Sequence, residues 1–224
     1  MKHLCLFPFF ILLGCQTPTV LEPIVVEPEI TLAWENTTAP HPERKPWTQT
    51  VIKTLKEREA SFAKAKDMKV YCPKFATLSS SGKLKALGEL IVGITYYESG
   101  YSPTSRMIET NLGGKSNPVD PITKRPVASE GLLQLSYQDI QWAKFCEFDW
   151  SKDKGLSDKD PKKTIMDPHK NLRCGIKILA NQIDSKGEIN LASGVYWAVL
   201  REGGKYSKIN EIAARVKKAA PDCQ

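Results

Sequence analysis

Histidine is scarce in this chain, with three among 224 residues, and that scarcity removes whole classes of chemistry. His3 and His41 lie near the N-terminus, which leaves His169 alone in the larger C-terminal part. A His-rich metal site is thereby excluded. A Ser-His-Asp or Cys-His hydrolase would have to use His169, which reads more simply as part of a helix N-terminus after Asp167-Pro168. Glycine-rich phosphate loops and EF-hand calcium loops are missing, and the six cysteines are spaced too widely for a zinc knuckle. Strand patterns of a length comparable to the helical ones are also missing, as is any internal repeat. Chemistry is left to carboxylates, hydroxyls, aromatic rings and backbone, with no metal or cofactor expected.

The apolar run Leu4 to Leu13 is too short to span a bilayer as a mature helix, and Lys2 and His3 precede it, so it reads as an export signal. Its end, Leu12-Leu13-Gly14-Cys15, resembles the lipobox of bacterial lipoproteins. That resemblance implies cleavage before Cys15, lipid on Cys15, and a mature chain anchored to a membrane rather than spanning it. Gln16, in place of aspartate, resembles the outer-membrane sorting pattern, which places the protein in the periplasm. Thr17 to Pro46 holds six prolines, five glutamates and few large apolar residues, a composition expected to stay extended. The expected organisation is a signal peptide over 1–14, a lipidated cysteine with a flexible linker over 15–46, and one domain over 47–224. At about 3 Å per residue the linker would hold the domain up to roughly 90 Å from the membrane.

Export also fits the cysteines. With Cys5 in the signal and Cys15 lipidated, Cys72, Cys146, Cys174 and Cys223 remain, enough for two disulfides in one of three connectivities. The domain is expected to be mainly helical. Val51, Leu55, Arg58 and Phe62 mark one helix, and others are predicted at Tyr137 to Phe148, His169 to Ile183, Leu191 to Leu200 and Ile209 to Lys218. Between Arg106 and Ala128 lies a polar stretch with no helical period, and loops of that length are functional or disordered.

One further helix carries the candidate catalytic residue. Leu84, Leu87, Ile91 and Ile94 recur at spacings of three and four, and Glu98 falls where the stripe would place its next core residue. Ser99, Gly100 and Pro103 then stop the helix, so Glu98 lies in the last turn. Desolvation by the stripe and the negative end of the helix dipole both favour the protonated acid, which is how a glutamate becomes a general acid near neutral pH.

Four segments follow in a telling order: Glu98-Ser99-Gly100-Tyr101-Ser102-Pro103, Gly131-Leu132-Leu133-Gln134-Leu135, Asp167-Pro168-His169-Lys170-Asn171-Leu172-Arg173-Cys174-Gly175, and Ala192 to Ala198 with Tyr196. Together they resemble the soluble lytic transglycosylase family, whose lysozyme-like fold goose-type lysozymes share. The resemblance implies that Glu98 alone protonates the glycosidic oxygen between N-acetylmuramic acid and N-acetylglucosamine in peptidoglycan. It then acts as base while the muramic acid C6 hydroxyl closes onto C1, leaving a 1,6-anhydro end. It also implies that Gln134 contacts sugar and that Tyr196 hydrogen-bonds Glu98, with Ser99, Tyr97 and Tyr101 in the cleft by adjacency. Asn171 and Gly175 match the helix behind the site. Trp197, which the same resemblance places against substrate, and Val199 stand where the family has asparagine and glycine.

The Glu98 to Gln134 separation is about twice that of the family, and the excess is the polar stretch carrying Glu109 and Asp120, with Glu130 just beyond. Goose-type lysozymes place an auxiliary aspartate in the equivalent region. Glu109 or Asp120 could therefore position a water and make the enzyme a hydrolase, and an altered loop could equally select glycan lacking some N-acetyl groups. A third reading is a tethered lipoprotein that binds wall glycan without cutting it. The net charge of +7 suits the acidic stem peptides of peptidoglycan and anionic lipid headgroups. Nucleic acid is not expected as a partner, since the lysines are dispersed and no nucleic-acid motif is present.

Overall fold

A computed structural model describes residues 29–224. Seven α-helices frame it: α1 (Lys45–Glu57), α2 (Glu59–Phe62), α3 (Met68–Tyr71), α4 (Ser80–Ser99), α5 (Trp150–Asp153), α6 (Pro168–Lys186) and α7 (Ile209–Ala219). Four short strands complete it: β1 (Arg106–Ile108), β2 (Asn111–Leu112), β3 (Lys115–Ser116) and β4 (Ala128–Glu130). The architecture is mainly α, as a lysozyme-like domain requires. The signal peptide, Cys15 and the first part of the linker lie outside the described residues. Among the described residues no helix is long and apolar enough to cross a membrane.

α4 is the central element. Its start is fixed by Ser79, whose hydroxyl accepts the Gly82 amide, and its end by Gly100 in the left-handed conformation. It is buried around most of its circumference from Leu84 to Thr95, because α1 and α7 pack on different sides of it. Two glycines permit those approaches. A Cβ on Gly93 would lie 2.8 Å from Ile212 of α7, and one on Gly88 would lie 2.7 Å from Leu32. α6 packs against α1 and α2 and starts at Asp167, whose carboxylate caps the amides of His169 and Lys170. His169 itself bonds Thr50 through Nδ1 at 2.6 Å, a helix-to-helix contact.

The cysteines pair as Cys72–Cys223 and Cys146–Cys174. The first ties the segment after α3 to the C-terminus, and the second ties α6 to the chain leading into α5. Two disulfides fit an oxidising, extracytoplasmic compartment.

Several expectations need correction. The domain does not begin at Trp47, because Leu32 and Trp34 are fully buried and belong to the same core as α1 and α4. Val51 to Phe62 is split into α1 and α2 at Arg58. Tyr137 to Phe148 forms only a short 3₁₀ turn over Tyr137–Gln141. Leu191 to Leu200 is likewise mostly turns, since Gly194 adopts a φ of 73° and Leu191 pairs with Arg201 as an isolated parallel bridge. The polar stretch from Arg106 to Ala128 is built as two small antiparallel pairs. β1 runs against β4 with Arg106 opposite Glu130, and β2 against β3 through Gly113-Gly114, both at positive φ.

Candidate active site

Glu98 sits two residues before the left-handed Gly100 that ends α4, partly buried, and its carboxylate makes no hydrogen bond to any other described residue. Its pKa is pushed up from the ordinary carboxylate range to about 7, first by burial and then by the negative charge of Glu109. The second contribution was expected from the helix terminus and comes instead from another carboxylate. A glutamic acid of this kind holds its proton near neutral pH and can give it to a leaving group.

The hairpin delivers Glu109 to this place. Pairing of β1 with β4 sets Met107 opposite Ser129, and the Glu109 amide then donates to the Val127 carbonyl at 2.9 Å. The Ser129 hydroxyl donates to Glu109 Oε1 at 2.5 Å, which fixes the carboxylate. The hairpin base is held by a buried ion cluster in which Glu130 accepts from Lys163 Nζ at 2.5 Å and from Arg106 Nε at 3.1 Å. Glu130 is therefore a structural anchor.

Asp120, the other candidate for positioning water, has no free capacity. It is 2 % exposed, and its Oδ1 accepts the amides of Ile122 and Thr123 while its Oδ2 accepts Ser136 Oγ and the Gln138 amide. The expectation that it could serve water is corrected, because every lone pair facing the protein is committed to closing the loop onto the turn at Ser136. Asp120→Ala strands several buried donors and should lower stability by about 1–3 kcal/mol. A urea midpoint unchanged from wild type would remove this account of the residue.

Gln134 is buried at a φ of 49° and donates through Nε2 to the Gly131 carbonyl at 2.8 Å and to the Ser105 carbonyl at 3.4 Å. Its amide nitrogen thus holds the turn, and Oε1 remains outside these bonds. Behind that turn, Asn171 accepts the Leu133 amide and donates to the carbonyls of Glu130 and Ile165. Gly131 leaves room for it, since a Cβ there would lie 2.3 Å from Asn171 Nδ2.

Tyr196 does not bond Glu98. Its hydroxyl donates to Asp139 Oδ2 at 2.5 Å, and Asp139 also accepts the Ser136 amide. Burial raises the pKa of Asp139 to about 6. Burial and the negative charges of Asp139, Glu98 and Glu109 raise the Tyr196 pKa well above the usual phenol, so it keeps its proton. Its hydroxyl proton is engaged in the bond to Asp139, so towards any further partner its oxygen can only accept. Asp139 was missed, although Ser136-x-x-Asp139 is a capping-box pattern legible in the sequence.

Two other sequence candidates are placed elsewhere, and a third is tied to its own helix. Tyr101 is 8 % exposed, edge-on to Trp34 at 6.2 Å with Arg44 over its ring, so it secures the N-terminal segment and is not a cleft residue. Trp197 is 3 % exposed and donates its indole N–H to the Leu133 carbonyl, which makes it core packing under Tyr196 and not a substrate contact. The Ser99 hydroxyl donates to the Thr95 carbonyl one turn back. Among the described residues no group of His, Cys, Asp and Glu side chains is arranged to hold a metal ion.

No protein-family profile matches this sequence, and neither does any curated protein. Among solved structures the chain is similar to Bd0314 DslA at 22 % identity, covering 88 % of this chain and 100 % of that one. The TM-score is 0.66 for its wild-type form 2 and 0.67 and 0.66 for two variants, each with one glutamate replaced by glutamine. At that identity the likeness concerns the fold: the two chains share one helical architecture over the whole length of the solved domain.

Proposed function

We propose that this protein hydrolyses the β-1,4 bond between N-acetylmuramic acid and N-acetylglucosamine in peptidoglycan, with Glu98 as general acid and Glu109 as the carboxylate that delivers water. The observation that supports this most is the electrostatic pairing of the two glutamates, in which the charge of Glu109 helps keep the proton on the buried Glu98. Glu98 protonates the glycosidic oxygen as its bond to C1 breaks. Water attacks C1, and its proton passes to Glu109. Two carboxylates in distinct roles are what a water-using glycosidase needs. The glutamates replaced in the two DslA variants lie eleven positions apart, the spacing of Glu98 and Glu109, which supports reading them as a functional pair. Cys15 is the proposed lipid attachment point, holding the domain in the periplasm against the wall.

Transglycosylation by Glu98 alone is the second reading, favoured by the sequence segments around Gln134 and Tyr196. The two routes leave different ends. Muropeptides released from purified sacculi should be reducible by borohydride, and a mass spectrum dominated by 1,6-anhydro ends would overturn hydrolysis.

Glu109→Gln tests the pairing directly. Activity requires Glu98 protonated, so its alkaline limb should fall near pH 7 in the wild type. Removing the Glu109 charge withdraws one of the two influences raising that pKa, so the limb should move to lower pH while the rate drops by about 10²-fold or more. An unmoved limb and an unchanged rate would exclude Glu109 from the mechanism.

A further inference from the structure

An open groove of about 390 Å³ runs from Tyr196 along the C-terminal half of α6. Its wall includes Trp142, whose ring is 55 % exposed and tilted against Tyr196 at 6.2 Å between centroids. A large indole held half in water beside a second aromatic ring is the chemistry of a stacking platform. Beside Trp142 and Tyr196 the lining holds Ile178 and Leu191 and a polar set, Asn181, Gln182, Ser185 and Lys186, with bonding capacity to spare. Asn181 gives its Oδ1 to Arg58, leaving Nδ2; Gln182 spends Nε2 on the carbonyls of Glu188 and Ile189, leaving Oε1; and Ser185 has no hydrogen-bond partner among the described residues. Leu191 supplies an apolar floor.

We infer that this groove is a saccharide subsite in which an N-acetylhexosamine ring of the strand stacks on Trp142 and bonds Asn181, Gln182 and Ser185. The pattern of one aromatic face with several neutral donors and acceptors matches a ring whose faces are C–H and whose edge is hydroxyl and amide. Lys186 is the single cation in the lining, set among neutral amide and hydroxyl side chains, so the groove offers the edge partners of a sugar and not the several cations of a phosphate or nucleotide cradle. The inference rests on the glycan-cleaving role proposed above, since it takes the groove as the extension of the same cleft. It adds that binding strength depends on a ring placed beyond the scissile bond, so long strands are held better than short ones.

The test is binding, which is independent of cleavage. Full-length protein carrying Glu98→Gln is compared with the same protein also carrying Trp142→Ala or Trp142→Tyr, in sedimentation with purified sacculi and in titration with soluble N-acetylglucosamine oligomers. Loss of the platform should weaken binding by roughly tenfold or more, and Trp142→Tyr, which keeps an aromatic face, should restore most of it. Equal melting temperatures would establish that the variants fold alike. Equal binding by the parent and Trp142→Ala would overturn the subsite. If Trp142-dependent binding is seen but wild type releases no muropeptides, the subsite stands and the catalytic reading falls. If wild type cuts sacculi and Trp142→Ala binds as its parent does, the subsite falls alone.

Discussion

Glu98→Gln should lower the release of muropeptides by about 10²- to 10⁴-fold, the range that general acid assistance supplies, while leaving the fold intact. The same variant should be more stable than wild type at alkaline pH, and the sign follows from the direction of the shift. Glu98 has a folded-state pKa of about 7, raised above its ordinary value of 4.5. The folded chain therefore resists ionisation that the unfolded chain accepts. Stability is complete below about pH 4.5, falls as pH rises towards 7, and carries the full penalty above that. Glutamine is neutral throughout, so the variant should match wild type at pH 4 and exceed it at pH 8 by about 1–3 kcal/mol, allowing for partial solvation of the carboxylate. Urea unfolding at the two pH values checks the stability claim and turnover of sacculi checks the chemistry. Wild-type turnover by the variant would end the assignment of Glu98, whatever its stability.

Glu98 was legible because a single helix carries both signals it needs. The spacing of Leu84, Leu87, Ile91 and Ile94 sets the buried face, and Ser99-Gly100 sets the end, so a carboxylate on that face near that end is specified locally. The partners of Glu98 are not local. Glu109 reaches it through the register of β1 on β4, and short strands of two or three residues leave too weak an alternation to read. Asp120 and Glu109 looked alike as loop carboxylates. Only the three-dimensional arrangement separates them, because Asp120 is consumed by its own turn and by Ser136, whereas Glu109 keeps one oxygen outside the Ser129 bond. Tyr196 was found by resemblance, yet its proton goes to Asp139, a residue that had registered only as part of an expected helix. Apolar residues at helical spacing also occur in compact turns: near Tyr196, Gly194 at positive φ breaks the period, and at Tyr137 the chain closes only a 3₁₀ turn before leaving helical geometry.

The segment before Trp47 carries the other large expected effect. Proline and glutamate content made it read as a tether, but composition averaged over thirty residues hides the few that matter. Trp34 is 0 % exposed, lies edge-on to Trp47 at 5.8 Å, and donates its indole N–H to Thr48. Glu35 accepts from the Leu32 amide and from Thr48, and Glu89 of α4 accepts the Ala33 amide. Trp34→Ala should cost about 3–5 kcal/mol in unfolding free energy, the range for deleting a large aromatic side chain from a core. A chain beginning at Trp47 should be worse, since it exposes the Leu32 site over Gly88 and leaves Glu89, with its pKa raised by burial, supported by Lys85 alone. Such a chain should lack a cooperative thermal transition, whereas one beginning at Glu29 should unfold as the whole protein does. Matching transitions for the two chains would show that the strap is dispensable. The strap also shortens the reach of any lipid anchor. From Cys15 to Glu29 the chain spans at most roughly 50 Å when fully extended, so under the proposed lipidation at Cys15 the domain would reach strands close to its membrane and not across the roughly 90 Å that a longer tether would allow.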